Sequence, residues 1–237
     1  CERPQIYSGV FRFEVADVSI PRRLTRRPAG APEQGTLLCL PLRDPTDPDR
    51  SPARLWERMR RLPPESLLTL ERLATLQVTY GARKWRVAQE PLGPHRERIR
   101  ETSADETDAG ERDTAYLVVR ERRRYDGGDR EQSRATETPL LVALALDDDG
   151  RPVPLRRGAP TVYSYLPTGE RPGFRFLLHA HFDLPIDRER LDLASPWNRW
   201  AIAQAGALLG AAAAQLVAEA DDAPGDPLPR ARCAALL

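Results

Sequence analysis

His179, His181 and Asp183 stand at i, i+2 and i+4 in the sequence. On a strand this spacing turns all three side chains to one face. Two imidazoles and a carboxylate could hold zinc or iron. No fourth ligand is evident, since the third histidine, His95, sits in a charged stretch. The preferred reading is polar residues at a sheet edge or interface. A second group lies just downstream, Asp187-Arg188-Glu189. Its arginine could close a salt bridge with Glu189 or Asp192. It could instead be presented to a phosphate, where a guanidinium forks onto two oxygens and stays charged. A third group, Asp147-Asp148-Asp149-Gly150, lacks the spacing of a calcium loop and reads as a hairpin turn. There is no Gly-x-Ser-x-Gly elbow, no phosphate-binding loop and no Cys–His pair with an obvious partner. The residues taken alone contain no complete active site.

Periodicity predicts the elements that hold these groups. Phe174 to Leu184 reads as one long strand running into the Asp187-Arg188-Glu189 turn. Ser195-Pro196 has the order of an N-cap and a first-turn proline. It opens a helix from Trp197 to about Ala220 with Ala201, Ala205, Leu208, Ala212 and Leu216 on one stripe, a face suited to cover a sheet. Thr114–Tyr125, Thr138–Leu146 and Thr161–Leu166 read as further strands, and with 174–184 they predict an antiparallel sheet. Leu76, Val78 and Tyr80 alternate, Gly81 turns, and Trp85 and Val87 alternate back, a hairpin. Pro91 to Asp113 is strongly charged and lacks aromatics, which predicts a surface loop or partly disordered excursion. Ser51-Pro52 starts a helix with Leu55, Met59 and Leu62 on one face. Pro64 starts a second short helix with Leu67, Leu70 and Leu73 inward. Before the Asp44–Pro52 linker, Ile6–Val15 reads as a half-buried strand and Pro21–Pro32 as a loop. Gly35 to Leu42 reads as a strand covered on both faces.

The composition, 41 % hydrophobic and 30 % charged, is that of a globular chain. A net charge of +1 creates no global field for nucleic acid or anionic lipid. Lys84 is the only lysine, and the arginine surplus is the coding bias of a high-GC bacterial genome before it is a nucleic-acid patch. Cys1, Cys39 and Cys233 fit neither a disulfide framework nor a zinc site, so a reducing, cytoplasmic setting is expected. No apolar run approaches a membrane span, and no signal peptide is read. The chain starts at Cys1 rather than Met. The alternatives are a lipoprotein matured at Cys1 and a fragment of a larger protein; the fragment is favoured because a core strand begins at once, and two strands cannot fold alone.

Several of these segments resemble a known family. Val162-Tyr163-Ser164-Tyr165-Leu166-Pro167-Thr168, Phe182-Asp183-Leu184, Asp187-Arg188-Glu189 and Trp197-Asn198-Arg199-Trp200 are similar to bacterial proteins with a sacsin-like, heat-shock-protein-90-like (GHKL-type) ATPase region. Pro4 to Gly9 and Phe11-Arg12-Phe13 resemble late strands of its ATP-binding domain, and Gly35 to Leu42 its closing strand. The resemblance covers most of the chain, with Pro91 to Asp113 outside it. It implies an α+β chain: the end of a GHKL ATP-binding α/β sandwich (1–44), then a middle domain of mainly antiparallel sheet covered by helices (53–220), then a tail (221–237). It also implies that Gly35 and Thr36 bind nucleotide, and that Arg188 reaches the ATP γ-phosphate, with Asp187 where the family has serine.

The family's general-base glutamate with its asparagine, its Asp-x-Gly motif and its glycine-rich phosphate loop are not in these 237 residues. ATP and Mg2+ are therefore expected only in the intact protein, with a chaperone-like or defence-associated role, and no ATP hydrolysis is expected from this chain alone. The alternative is a non-catalytic protein-interaction module of the same fold that binds a client or partner. A membrane partner is not expected, and an arginine-rich nucleic-acid binder is the weakest reading.

Overall fold

A computed structural model of the chain describes residues 5–8, 11–17, 20–23, 36–39, 51–105, 109–127, 136–187 and 189–221. The chain divides into two compact units, Cys1–Arg60 and Arg61–Leu237. It is a mixed α+β protein with few helices and mostly antiparallel strands.

The first unit carries strands β1 (Gln5–Ser8), β2 (Phe11–Asp17), β3 (Ile20–Arg23) and β4 (Thr36–Cys39) in the order β3-β2-β1-β4. The single strand expected over Ile6–Val15 is thus two. Ser8 pairs with Phe11 in antiparallel register. The Ser8-Gly9 pair is turn chemistry, and the even spacing of apolar residues on both sides hid it. Part of the expected loop from Pro21 is strand β3. Helix α1 (Pro52–Met59) follows, capped by the Ser51 side chain, which accepts from Arg54 N–H at 3.4 Å. Its buried residue is Trp56, while Leu55 and Met59, expected inward, are exposed. The large indole decides which stripe turns in.

The second unit opens with a 3-10 helix, Pro64–Thr69, where a short α-helix was expected. With about three residues per turn, it buries the consecutive pair Leu67 and Leu68, and Leu73 is left exposed. The strands that follow are β5 (Thr75–Tyr80), β6 (Arg83–Gly93), β7 (Arg96–Ala104), β8 (Gly110–Arg124), β9 (Glu137–Leu146), β10 (Pro152–Val153), β11 (Val162–Ser164), β12 (Leu166–Pro167) and β13 (Leu177–His179). They form one sheet in the order β12-β11-β13-β9-β8-β7-β6-β5, with β10 also on β9. The β5–β6 hairpin turns at Gly81, whose φ of +59° suits a residue without Cβ. The acidic turn after β9 is a hairpin to β10: the Asp147 carboxylate accepts from Asp149 and Arg151 N–H groups at 3.1 and 2.8 Å, and Gly150 takes φ +76°.

Three expectations for the sheet are corrected. Pro91 to Asp113 is not a loop: it holds the end of β6, all of β7 and the start of β8, with residues 106–108 outside the described set. Its charges misled because they answer each other across strands. Arg100 Nε lies 3.0 Å from Glu111 and 3.3 Å from Asp113, and Arg120 pairs with Glu97. Exposed pairs such as Arg100 with Glu111 are worth little, so the backbone ladder and buried Ile99 carry the strand. The long strand expected over Phe174–Leu184 is three residues. Finally, β11 and β13 pair in parallel, because β13 inserts between β11 and β9.

Helix α2 (Pro196–Asp221) packs on β8 and β9. Its stripe Ala201, Ala205, Leu208 and Ala212 is buried against Leu117, Val119, Leu140, Val142 and Leu144; the side chain of Leu216 lies outside the described set. The alternate residues Tyr116, Val118, Leu141 and Ala143 face the other way and are also buried. None of the described helices is long and apolar enough to cross a membrane. If this stripe holds the sheet, Leu208→Ala will cost about 2–5 kcal/mol in urea unfolding. Ile202→Ala, at a side chain 38 % exposed, will cost roughly 1 kcal/mol or less.

Candidate functional site

The residues around position 188 form a loop with a clasped neck. After β13 the chain leaves the sheet, and Asp183 and Asp192 come together. Asn198, in the first turn of α2, is fully buried and grips both. Its Oδ1 accepts from Asp183 N–H at 2.8 Å, and its Nδ2 donates to the Asp183 and Asp192 carbonyls, each at 2.8 Å. Ser195 caps the helix: its Oγ accepts from Asn198 N–H at 3.4 Å and donates to the Asp183 carboxylate at 2.8 Å. Trp197 Nε1 donates to the His181 carbonyl at 2.6 Å. The start of α2 therefore ties the entry and the exit of the loop to one point.

The loop is braced from the side by the segment after β12. A Cβ on Gly169 would lie 2.6 Å from the Glu189 carbonyl oxygen, so only glycine permits that approach. Glu170 Oε1 accepts from Leu191 N–H at 2.6 Å. The Asp187 carboxylate accepts from Glu189 N–H at 3.1 Å, an Asx turn across position 188. Asp187 and Glu189 are exposed, and Ile186 is 103 % exposed. Arg188 itself and Gly35 lie outside the described residues. Thr36 opens β4 opposite Ser8, in the first unit, whereas the loop belongs to the second.

His179, His181 and Asp183 do not share one strand face, because β13 ends at His179. Among the described residues, no group of three or more His, Cys, Asp or Glu could hold a metal ion. His179 instead belongs to a buried cluster. Its Nδ1 lies 3.3 Å from Tyr165 N and 3.2 Å from the Tyr163 carbonyl, and the Tyr165 ring centroid is 4.6 Å from that of His181. Tyr165 has φ +65°, an uncommon conformation for a residue with a side chain. The Thr69 hydroxyl, which donates to its carbonyl, and His179 hold it there. Nε2 of His179 is buried with no hydrogen-bond partner, beside a cavity of about 230 Å3 that Arg120 and Leu68 also line. Burial pushes the His179 pKa from 6.5 down to about 4, aided by the charges of His181 and Arg120 and opposed by the Tyr163 carbonyl. The hydroxyls of Tyr163 and Tyr116 are pushed up, burial being the main cause and the Glu65 charge the next.

Asn198, Gly169, Glu170 and Thr69 were not singled out as site residues in the sequence. Asn198 and Gly169 stand in or beside the motifs quoted above, yet their partners lie 6 to 20 residues away and carry no local signature. Asn198→Ala leaves three backbone groups without their partner. It will cost about 2–4 kcal/mol and will expose the bond after Arg190 to trypsin in limited proteolysis. Folded His179 resists protonation, so below pH 6.5 the unfolded chain binds the extra proton. Stability contributed by neutral His179 will be full above pH 6.5 and will fall by about 3 kcal/mol as the pH drops toward 4. Glu65, whose pKa burial raises, acts with the opposite sign. Subtracting the urea stability of His179→Asn at each pH cancels that contribution. No protein-family model, curated protein or solved structure matches the chain.

Proposed function

We propose that residues 53–220 are the middle-type domain of a sacsin-like, heat-shock-90-like ATPase, and that the loop 183–192 is the arm that carries Arg188 to the γ-phosphate of ATP. The sheet of residues 5–39 would be the last strands of the ATP-binding domain, with Thr36 and Gly35 at the nucleotide. ATP and Mg2+ would be held by that domain in the intact protein. The observation that carries the reading is the clasp: Asn198 grips both ends of the loop while Gly169 and Glu170 brace Glu189 and Leu191. An arginine that must meet a transferring phosphoryl group needs a support that cannot drift, since misplacement costs rate steeply. The Asx turn gives the Asp187 carboxylate a backbone donor.

A second reading, a non-catalytic protein-interaction module, is favoured by the same loop for a different reason. Ile186 is 103 % and Leu193 61 % exposed, two apolar side chains offered to water. ATP turnover of the intact protein separates the two. Arg188→Ala will lower turnover by about 10²–10⁴-fold and leave ATP affinity nearly unchanged. Arg188→Lys will also be slow, since an ammonium cannot fork onto two oxygens. Turnover unchanged in both variants would sink the ATPase reading and leave the interaction module.

A further inference from the structure

The arginines of the second unit fall into two populations. On β6 to β8 six guanidiniums are matched by carboxylates: Arg83 with Asp105, Arg98 and Arg100 with Asp113, Arg120 with Glu97, Arg122 with Glu71 and Arg123 with Glu121. So is Arg151, 3.0 Å from Asp149 in the turn after β9; a second group is not. Arg156, Arg157, Arg171 and Arg175 line one concavity of about 380 Å3, and no Asp or Glu is among its walls. That volume is in the range of small-molecule sites, about 300–1,000 Å3. A coding bias toward arginine explains how many arginines there are. It does not explain why four arginines meet at one hollow whose walls hold no carboxylate.

Two fastened loops build the concavity. Ala159 N–H donates to the Arg156 carbonyl at 2.9 Å, and Gly158 takes φ +83° in that turn. A tight turn with φ > 0 at this position calls for glycine. Leu155 N–H donates to the Arg175 carbonyl at 2.8 Å, and Arg175 Nε and Nη2 donate to the Leu155 carbonyl at 2.9 and 2.6 Å. Arg171 Nη1 donates to the Thr168 and Glu170 carbonyls at 3.3 and 2.8 Å. These carbonyls orient two guanidiniums without neutralising them. The guanidiniums of Arg156 and Arg157 make no hydrogen bond or ion pair to a described residue. The carboxylate that feels Arg156 is Glu65, which does not line the concavity. Like charges gathered around one hollow repel each other, and a bound polyanion relieves that repulsion.

We propose that this concavity binds an oligophosphate, a chain of two or three phosphoryl groups either free or carried on a nucleotide, with the guanidiniums of Arg156, Arg157, Arg171 and Arg175 as its ligands. Guanidinium forks match phosphate oxygens in pairs. Phe174, stacked on Phe176 at 4.3 Å between ring centroids, adds a flat apolar wall beside them. The site is separate from the ATPase reading and does not rest on it.

Calorimetric titration of the full chain with inorganic tripolyphosphate, pyrophosphate and phosphate tests the assignment. Tripolyphosphate will bind at least about tenfold tighter than phosphate, and its affinity will fall as salt rises from about 50 to 200 mM. The double variant Arg156→Gln/Arg157→Gln will lose about tenfold or more. Arg124→Gln, at a side chain 74 % exposed beside Asp126, will not. Should the double variant melt early in circular dichroism, Arg171→Gln carries the same expectation. ATP that displaces tripolyphosphate assigns a nucleotide-borne chain, and ATP that fails to displace it assigns the free chain. No tripolyphosphate binding at low salt, or binding kept by both variants, overturns the proposal. So does duplex DNA that binds more tightly than tripolyphosphate and is lost in the same variants.

Discussion

Strand β9 has no face it can show to water. Nine of its ten residues are buried, and its neighbours on both faces are apolar. A strand of that kind must be covered twice, and the rest of the second unit is arranged to do it. Helix α2 lies on one face through its alanine–leucine stripe. The other face carries Tyr116, Leu141, Ala143 and Tyr163, and the 3-10 helix with Leu67 and Leu68 packs against β6, β7 and β11. The small residues of α2 let the helix backbone approach the sheet, so dispersion contacts add to the area removed from water.

The position of α2 then determines the loop before it. A helix docked by its stripe has its first turn fixed in place. The Ser195 cap and the Asn198 side chain are therefore presented at one spot, to which the chain leaving β13 must return. Fully buried, Asn198 cannot leave its amide unpaired without a cost of about 1–3 kcal/mol per group. Gripping Asp183 and Asp192 satisfies it. The same hydrogen bonds close a loop whose tip is exposed. Rigidity at the neck and exposure at the tip thus come from one packing decision made on the far side of the helix.

Polar groups near β13 follow the same logic. His179 sits opposite Tyr163 in a parallel pair, so its imidazole is carried inward with the sheet. Burial keeps it neutral, and its Nδ1 helps hold Tyr165 in a left-handed conformation that the backbone alone would avoid. At the opposite end of the sheet, charge alternates instead of apolarity. There Arg100, Glu111 and Asp113 answer one another across strands, and the sheet continues outward as β7 with Ile99 its buried hydrophobic residue.

Much of the second unit could be read from the chain alone, because the signals were local. The β5–β6 hairpin, β8, β9, the acidic turn and α2 with its buried stripe each follow from periodicity or from a cap, proline or glycine at a fixed offset. What could not be read depended on partners distant in sequence. The charged segment 91–113 looked like a loop because its stabilisation lies in pairings with other strands. The stretch 174–184 looked like one strand because alternation continues past His179, where the chain in fact bends to meet Asn198. Whether β11 and β13 run parallel was decided by which strand β9 accepted as a neighbour. The sequence by itself determined which segments are apolar and which residue types could meet a phosphate or a proton. The tertiary structure alone decided which arginines found carboxylates and which were left lining a hollow, because hydrogen bonds and ion pairs form across space between residues whose chain separation records nothing of their approach.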